Sequence, residues 1–214
     1  MKPFPKRLKL ADLPTRIEKL ERFSERTGLN VYVKRDDMSG MEWSGNKIRK
    51  LEFSIQEALD RGADTLITCG GIQSNHCRAT AAAAARLGLR SCLLLRTDDP
   101  DPLLDGNYFI DKVLGADIRF ISAEDYRSRR GEVMEELAGE FERQGHKAYI
   151  IPEGASNGIG TFGYLSCMQE ILQQEKEMGV QFDTIVDAVG SGGTLAGLVL
   201  ANRLYGLNKR IVGI

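Results

Sequence analysis

The sequence predicts an α/β protein built on mostly parallel strands. Short apolar runs rich in β-branched residues alternate along the chain with longer segments of helical periodicity. Three of the loops between a strand and the next helix are rich in glycine and polar residues, as expected where strand ends in such a sheet receive ligands. Composition agrees: 42% hydrophobic and 28% charged residues in a chain of 214 can bury a proper core.

Residues 15–26 open with Thr15 and Glu18 at capping-box spacing and carry Ile17, Leu20 and Phe23 at helical spacing, with Gly28 beyond them, so they predict the first helix. Residues 30–34 (NVYVK) alternate like a strand. Further strands are expected at 64–69 (DTLITC), 91–95 (SCLLL), 117–121 (DIRFI), 147–151 (KAYII), 183–189 (DTIVDAV) and 210–214 (RIVGI). Helices are expected at 47–61, 75–87, 107–114, 123–144, 161–178 and 194–204, the alanine run 81–85 forming a closely packed face. RIVGI reads as a buried strand with no helix after it, which predicts a fragment of a longer protein.

Lys plus Arg is 29 and Asp plus Glu is 30, a net charge of −1. That balance argues against a nucleic-acid or anionic-membrane binder; the basic run at 2–9 (KPFPKRLK) reads as a solvated arm. Cys69, Cys77, Cys92 and Cys167 form no CxxC pair, and with only His76 and His146 beside them a metal site is not expected. Free thiols fit a reducing compartment. The N-terminus lacks the apolar core of a signal peptide, and no run approaches the roughly 18 apolar residues of a membrane span. A soluble cytoplasmic protein is expected.

Gly190, Ser191, Gly192, Gly193 and Thr194 follow an apolar strand and start an apolar helix. Free N–H groups at a helix start, approached closely over glycines, suit a phosphate, although a plain strand-to-helix turn accounts for such a loop equally well. The loop is neither a P-loop nor GxGxxG, because no Gly-Lys-Ser/Thr follows and Leu195 stands at the third glycine position. A second loop, Gly70-Gly-Ile-Gln-Ser-Asn-His76, places Gln73, Ser74, Asn75 and His76 at a helix N-terminus, where they can hold a small carboxylate. Capping by Ser74 or Asn75 explains one of these four. In the third loop, at 153–160, Ser156 and Asn157 could contact a ligand, and they suit turn formation better.

Lys47 lies in Trp43-Ser-Gly-Asn-Lys-Ile-Arg-Lys, where residues 44–46 would start a helix whose apolar face carries Ile48, Leu51, Ile55 and Leu59. The positive helix end and the neighbouring Arg49 and Lys50 would depress its pKa, as a Schiff-base lysine needs. Taken alone, such a lysine is an ordinary surface charge.

Together, SGNKIRKLEF, DTLITCGGIQSNH and VGSGGTLAG, in this order, resemble the D-cysteine desulfhydrase and 1-aminocyclopropane-1-carboxylate deaminase family, over about residues 8–214. The resemblance implies pyridoxal 5'-phosphate enzymes of the tryptophan-synthase β-like fold (fold type II), with an incomplete large domain here. It implies Lys47 as the Schiff-base lysine and proton-transfer base. Residues 190–194 would hold the phosphate with help from Lys50, and Asn75 would contact the ring hydroxyl. Ser74, with Gln73, Asn75 and His76, would face the substrate carboxylate and assist proton movement.

The implied reaction is α,β-elimination of D-cysteine to pyruvate, sulfide and ammonia; the alternative is ring opening of 1-aminocyclopropane-1-carboxylate to 2-oxobutanoate and ammonia. His76 after Gln-Ser-Asn resembles the desulfhydrase side. Ser44 departs from the family's second glycine, and the partner of the pyridine nitrogen and the substrate-facing aromatic residue are expected beyond Ile214. The resemblance further implies a homodimer, with a large domain of residues 1–52 plus 154–214 and a small domain of 53–153. The rival readings are a nucleotide-binding dehydrogenase, whose fingerprint is missing, and a non-catalytic fragment that binds without turnover.

Overall fold

The computed structural model describes residues 4–40 and 45–214. Ser44, expected to help start the lysine-bearing helix, and Lys2, at the head of the basic run, lie outside the described residues. The elements run β1 (Ile17–Lys19), α1 (Glu21–Thr27), β2 (Tyr32–Lys34), a 3-10 turn (Asp36–Met38), α2 (Lys47–Asp60), β3 (Thr65–Gly71), α3 (Asn75–Leu87) and β4 (Arg90–Arg96). They continue through α4 (Gly106–Val113), β5 (Asp117–Ile121), α5 (Ala123–Arg143), β6 (Ala148–Ile150), a 3-10 turn (Glu153–Ala155), α6 (Gly158–Met178), β7 (Thr184–Asp187), α7 (Gly193–Leu204) and β8 (Arg210–Gly213).

The central sheet has the order β5-β4-β3-β6, with every pair parallel. Residues 65–70 of β3 are buried, because helices cover both faces of a parallel sheet. The two-residue period of a strand divides the core. Leu66 packs with Ile48, Leu51 and Ile55 of α2 and Ala79 and Ala83 of α3. Ile67 and Cys69 join Cys92 and Leu94 under Tyr126, Leu137 and Phe141 of α5. Within the alanine run, Ala81, Ala83 and Ala84 are fully buried, as its small side chains predict.

A second layer pairs β7 with β8 in parallel and packs α6 on α7 through Tyr164, Leu165, Met168, Leu198 and Ala201. Two glycines set the helix spacing. A Cβ at Gly163 would stand 2.6 Å from the backbone C and O of Arg49, and one at Gly197 would stand 2.5 Å from Tyr164 Cβ. Glycine at these positions lets α6 approach α2 on one side and α7 on the other.

Arg49 fastens α2 to this layer. Its buried guanidinium donates to both oxygens of Asp36 at 2.8 and 2.9 Å and to both oxygens of Glu170 on α6 at 2.8 and 2.9 Å. The expected contribution of Arg49 to the charge around Lys47 is therefore corrected: it is committed to two carboxylates.

The first helix also differs from expectation. Ile17–Lys19 is a strand, paired antiparallel with β2, and α1 starts at Glu21 with no side-chain cap. Thr15 Oγ1 donates to Asp36 Oδ1 at 2.8 Å and Glu18 pairs with Arg35 at 2.7 Å, so partners distant in sequence take both capping-box side chains. Gly28 ends α1 in the left-handed region, as expected. Asn157 caps α6, accepting from Gly160 N–H at 2.9 Å, so that helix begins ahead of Thr161.

RIVGI forms β8 but is not a buried strand. Ile211 packs against the α6–α7 core, whereas Ile214 is 80% exposed and Val186 on the neighbouring β7 is 60% exposed. The hydrophobic cluster beside this sheet draws on α6 and α7, which meet Ile185 and Ile211, while Val186 alternates to the other side.

Candidate active site

Two segments far apart in sequence form one cleft. Asn46, Lys47 and Lys50 at the start of α2 face Asp187 and the 190–194 loop across it. Lys47 Nζ donates to Asn46 Oδ1 at 3.1 Å, and Asn46 Nδ2 donates to Thr194 Oγ1 at 3.1 Å, so Asn46 ties the lysine to the glycine loop.

Gly192, at φ +83°, caps α7, and Ala196 N–H donates to its carbonyl at 2.9 Å. The N–H groups of Gly193, Thr194 and Leu195 are therefore not used by the helix. A Cβ at Gly193 would stand 2.5 Å from Ser156 Oγ, and Ser156 Oγ lies 2.7 Å from Ser191 Oγ. The third loop thus buttresses the first. Unspent N–H groups beside two amines suit a phosphate ester, and the amine of Lys47 suits an aldehyde carbon; pyridoxal phosphate carries both groups.

Burial lowers the pKa of the Lys47 amine, with the Asp187 carboxylate opposing the shift. Lys50, 1% exposed, is brought to about 8 by burial first and by the charge of Lys47 second, again against Asp187. It makes no hydrogen bond or ion pair among the described residues. The expected depression of Lys47 is found, but its leading cause is desolvation rather than neighbouring cations.

The Gln-Ser-Asn-His loop lies at the carboxyl end of β3 and the start of α3, as its sequence implies. Ser74 is the N-cap of α3 and accepts from Cys77 N–H at 3.2 Å. Gln73 is held by the start of α4: its Nε2 donates to Asp105 Oδ1 at 2.9 Å and its Oε1 accepts from Asn107 N–H at 2.7 Å. Asn75 Oδ1 accepts from Asn107 Nδ2 at 2.9 Å.

His76 is buried, with Nε2 2.8 Å from Thr68 Oγ1; that hydroxyl donates to the Ile151 carbonyl at 2.7 Å, so it accepts from the imidazole. Burial, followed by the charges of Lys50 and Lys47, pushes the His76 pKa down to about 3, which keeps the ring neutral. The structure therefore brings Lys47, Lys50 and residues 190–194 together and buries His76 within reach of the lysines' charge. Gln73, Ser74 and Asn75 do not line the part of the site between the lysines and the 190–194 loop.

Sequence reasoning missed three contributors. Asn46 was visible only as part of the lysine motif, Asp187 only as a polar residue interrupting an apolar strand, and Asn107 gave no local signal because its partners precede it by some thirty positions.

Residues 8–214 match the family model described as "Pyridoxal-phosphate dependent enzyme". The chain is 46% identical over 211 residues to a putative 1-aminocyclopropane-1-carboxylate deaminase of Pyrococcus abyssi, covering 99% of this chain and 62% of that protein. It is 45% identical over 219 residues to a mitochondrial bifunctional D-cysteine desulfhydrase/1-aminocyclopropane-1-carboxylate deaminase of Arabidopsis thaliana, covering 99% and 55%. The crystal structure of an ACC deaminase homologue superposes with a TM-score of 0.89 at 42% identity, over 98% of this chain and 63% of the other. The chain thus spans less than two thirds of the length of each of these proteins. With its parallel sheet flanked by helices, the chain belongs to the pyridoxal-phosphate dependent enzymes and has their type II fold.

Proposed function

We propose that the chain carries the cofactor-anchoring part of a pyridoxal-phosphate lyase acting on a small amino acid, and that its reaction is α,β-elimination of D-cysteine. The observation that carries this reading is the shared cleft of Lys47, an amine with a lowered pKa, and the 190–194 loop with its unspent N–H groups. Pyridoxal phosphate, when bound, supplies an electron sink that acidifies the Cα–H bond of an amino acid.

The protein's own groups do the rest. Lys47 would be the Schiff-base lysine that anchors the cofactor and the base that takes the Cα proton. The backbone of Gly190, Ser191, Gly192, Gly193 and Thr194 would hold the phosphate, and Lys50 would add positive charge. Asn75 would contact the cofactor ring through its amide nitrogen, Asn107 holding its side-chain oxygen, and with Gln73, Ser74 and His76 at the start of α3 would receive the substrate carboxylate. The N–H groups of Asn75 and His76 at that helix start are free for it. Ser74 Oγ accepts from Cys77 N–H and keeps its own proton available.

D-cysteine and one water give pyruvate, hydrogen sulfide and ammonia. His76 after Gln-Ser-Asn favours this over the second reading, ring opening of 1-aminocyclopropane-1-carboxylate with one water to 2-oxobutanoate and ammonia. The names of the archaeal relative and of the superposed crystal structure support that second reading.

The division into 1–52 plus 154–214 and 53–153 belongs to the same proposal; its first boundary falls inside α2, which packs on both layers. So do a homodimer, testable by light scattering, and a cytoplasmic location, supported by four unpaired cysteines. Among the described residues no helix is long and apolar enough to cross a membrane.

The test is to add pyridoxal phosphate, reduce with borohydride and map the modified peptide by mass. Label at Lys47 that disappears in Lys47→Ala is expected; label elsewhere overturns the assignment. Sulfide and pyruvate released from D-cysteine support the first reaction, and 2-oxobutanoate from the cyclopropane amino acid selects the second.

A further inference from the structure

We infer that Asp187 is a positioning residue of this site: its carboxylate, at the end of β7, is the shared counter-ion of Lys47 and Lys50 and keeps one of these amines as the ammonium that meets the phosphate. The role assigned to the phosphate rests on the proposed function; the electrostatic coupling of the three groups does not.

Among the described residues, the cleft holds two amines and one carboxylate. Asp187 Oδ2 is buried and has no hydrogen-bond partner among the described residues. Lys50 is 1% exposed and also unpartnered among the described residues, and Lys47 Nζ meets only the neutral amide oxygen of Asn46. A buried charge is costly unless an opposite charge offsets it. Asp187 therefore has these two lysines to offset it, and they have Asp187.

The surrounding ionisable groups are committed elsewhere. Asp36, the remaining charge acting on Asp187, is bonded to Arg49 and Tyr164. His76, within reach of the lysines' charge, is neutral and bonded to Thr68. Burial raises the Asp187 carboxyl, and Lys50 and then Lys47 pull it back, as a mixed-charge cluster requires.

The strand gives a second reason to assign a role. Ile185, Val186, Ala188 and Val189 flank Asp187 in sequence with apolar residues, and aspartate is depleted in strands, so it gains nothing for β7 itself. Without it, two half-buried or buried amines would repel each other with no compensation. That repulsion would favour loss of a proton from one of them and weaken the cleft's hold on an anion.

The experiment is a carbon-13 NMR titration of the lysine side chains in cofactor-free protein, comparing wild type with Asp187→Asn and Asp187→Val. Valine suits the strand and guards against a loss of fold caused by an unpaired amide. Resonances are assigned with Lys47→Arg and Lys50→Arg, and Lys209, paired with Glu175 at 2.6 Å, is the internal control.

In both variants the midpoint of Lys50, of Lys47 or of both should fall by about one pH unit while Lys209 stays fixed. Midpoints at both lysines that coincide with wild type in both variants would overturn the inference. Failure of borohydride to label Lys47 would instead defeat the proposed function and leave this titration unaffected.

Discussion

Replacing Arg49 with methionine should destabilise the protein severely. The guanidinium makes four bonds of 2.8–2.9 Å to Asp36 and Glu170 and a fifth, of 3.0 Å, to Thr15 Oγ1, and the side chain is 1% exposed. Methionine keeps the reach and removes every donor. Asp36 would retain the Tyr164 hydroxyl at 2.6 Å, and Glu170 would retain Lys34 at 3.1 Å, but both lose the charge that compensates them. Breaking a buried ion pair from one side costs about 3–5 kcal/mol. In a chain of this size that corresponds to a fall in Tm of about 6–20 °C.

The assay is urea and thermal unfolding followed by circular dichroism at several pH values. Burial alone would raise the Asp36 carboxyl, yet Arg49, Tyr164 and Thr15 bring it below 3.8. Its contribution is therefore complete above that value and is lost as pH falls through the lower folded-state pKa. The gap between wild type and Arg49→Met should be full at pH 7 and shrink in strong acid. A gap below about 1 kcal/mol at pH 7, against the magnitude for buried pairs, or one indifferent to acid, would refute the reasoning.

Two further outcomes follow from other contacts. Asp111 on α4 is fully buried, neither carboxylate oxygen has a partner, and burial brings its pKa to about 7 against the opposing charge of Arg78. The folded state thus holds a proton that the unfolded state releases near 3.8, so stability declines as pH rises from about 4 through about 7. Asp111→Asn should flatten that decline in a series of melting curves, and an unchanged slope would count against it. Gly163→Ala sets a Cβ 2.6 Å from the Arg49 backbone and 2.8 Å from Lys50 N, so α2 has to shift. A loss of about 1–3 kcal/mol in urea unfolding is expected, together with weaker labelling of Lys47 by pyridoxal phosphate; wild-type behaviour in both would mean that the helices part without consequence.

Local pattern made most elements legible. Val33, Ile67 and Leu94 sit in alternating or apolar runs, and Gly28, Gly88 and Gly179 end their helices in the left-handed conformation that only glycine adopts freely. The failures share one physical cause. Thr15 and Glu18 have capping spacing, but Asp36 and Arg35 lie within reach and form stronger, charged contacts than a cap offers. Gln73 and Asn75 present their amides at a strand end, as the sequence suggests, and Asn107 from another helix donates to the side-chain oxygen of each, a contact that no local pattern announces.

By itself, then, the sequence determined the alternation of strands and helices, the glycine loop before α7 and the lysine at the head of α2, because each depends on backbone preference and periodicity over a few residues. Only the tertiary structure decided that the loop and the lysine share a cleft, that desolvation rather than charge leads the shift of Lys47, and that Arg49 turns away while Asp187 turns in. Those outcomes depend on which groups meet after the chain has folded and how much water is left between them, and no short window of sequence carries that information.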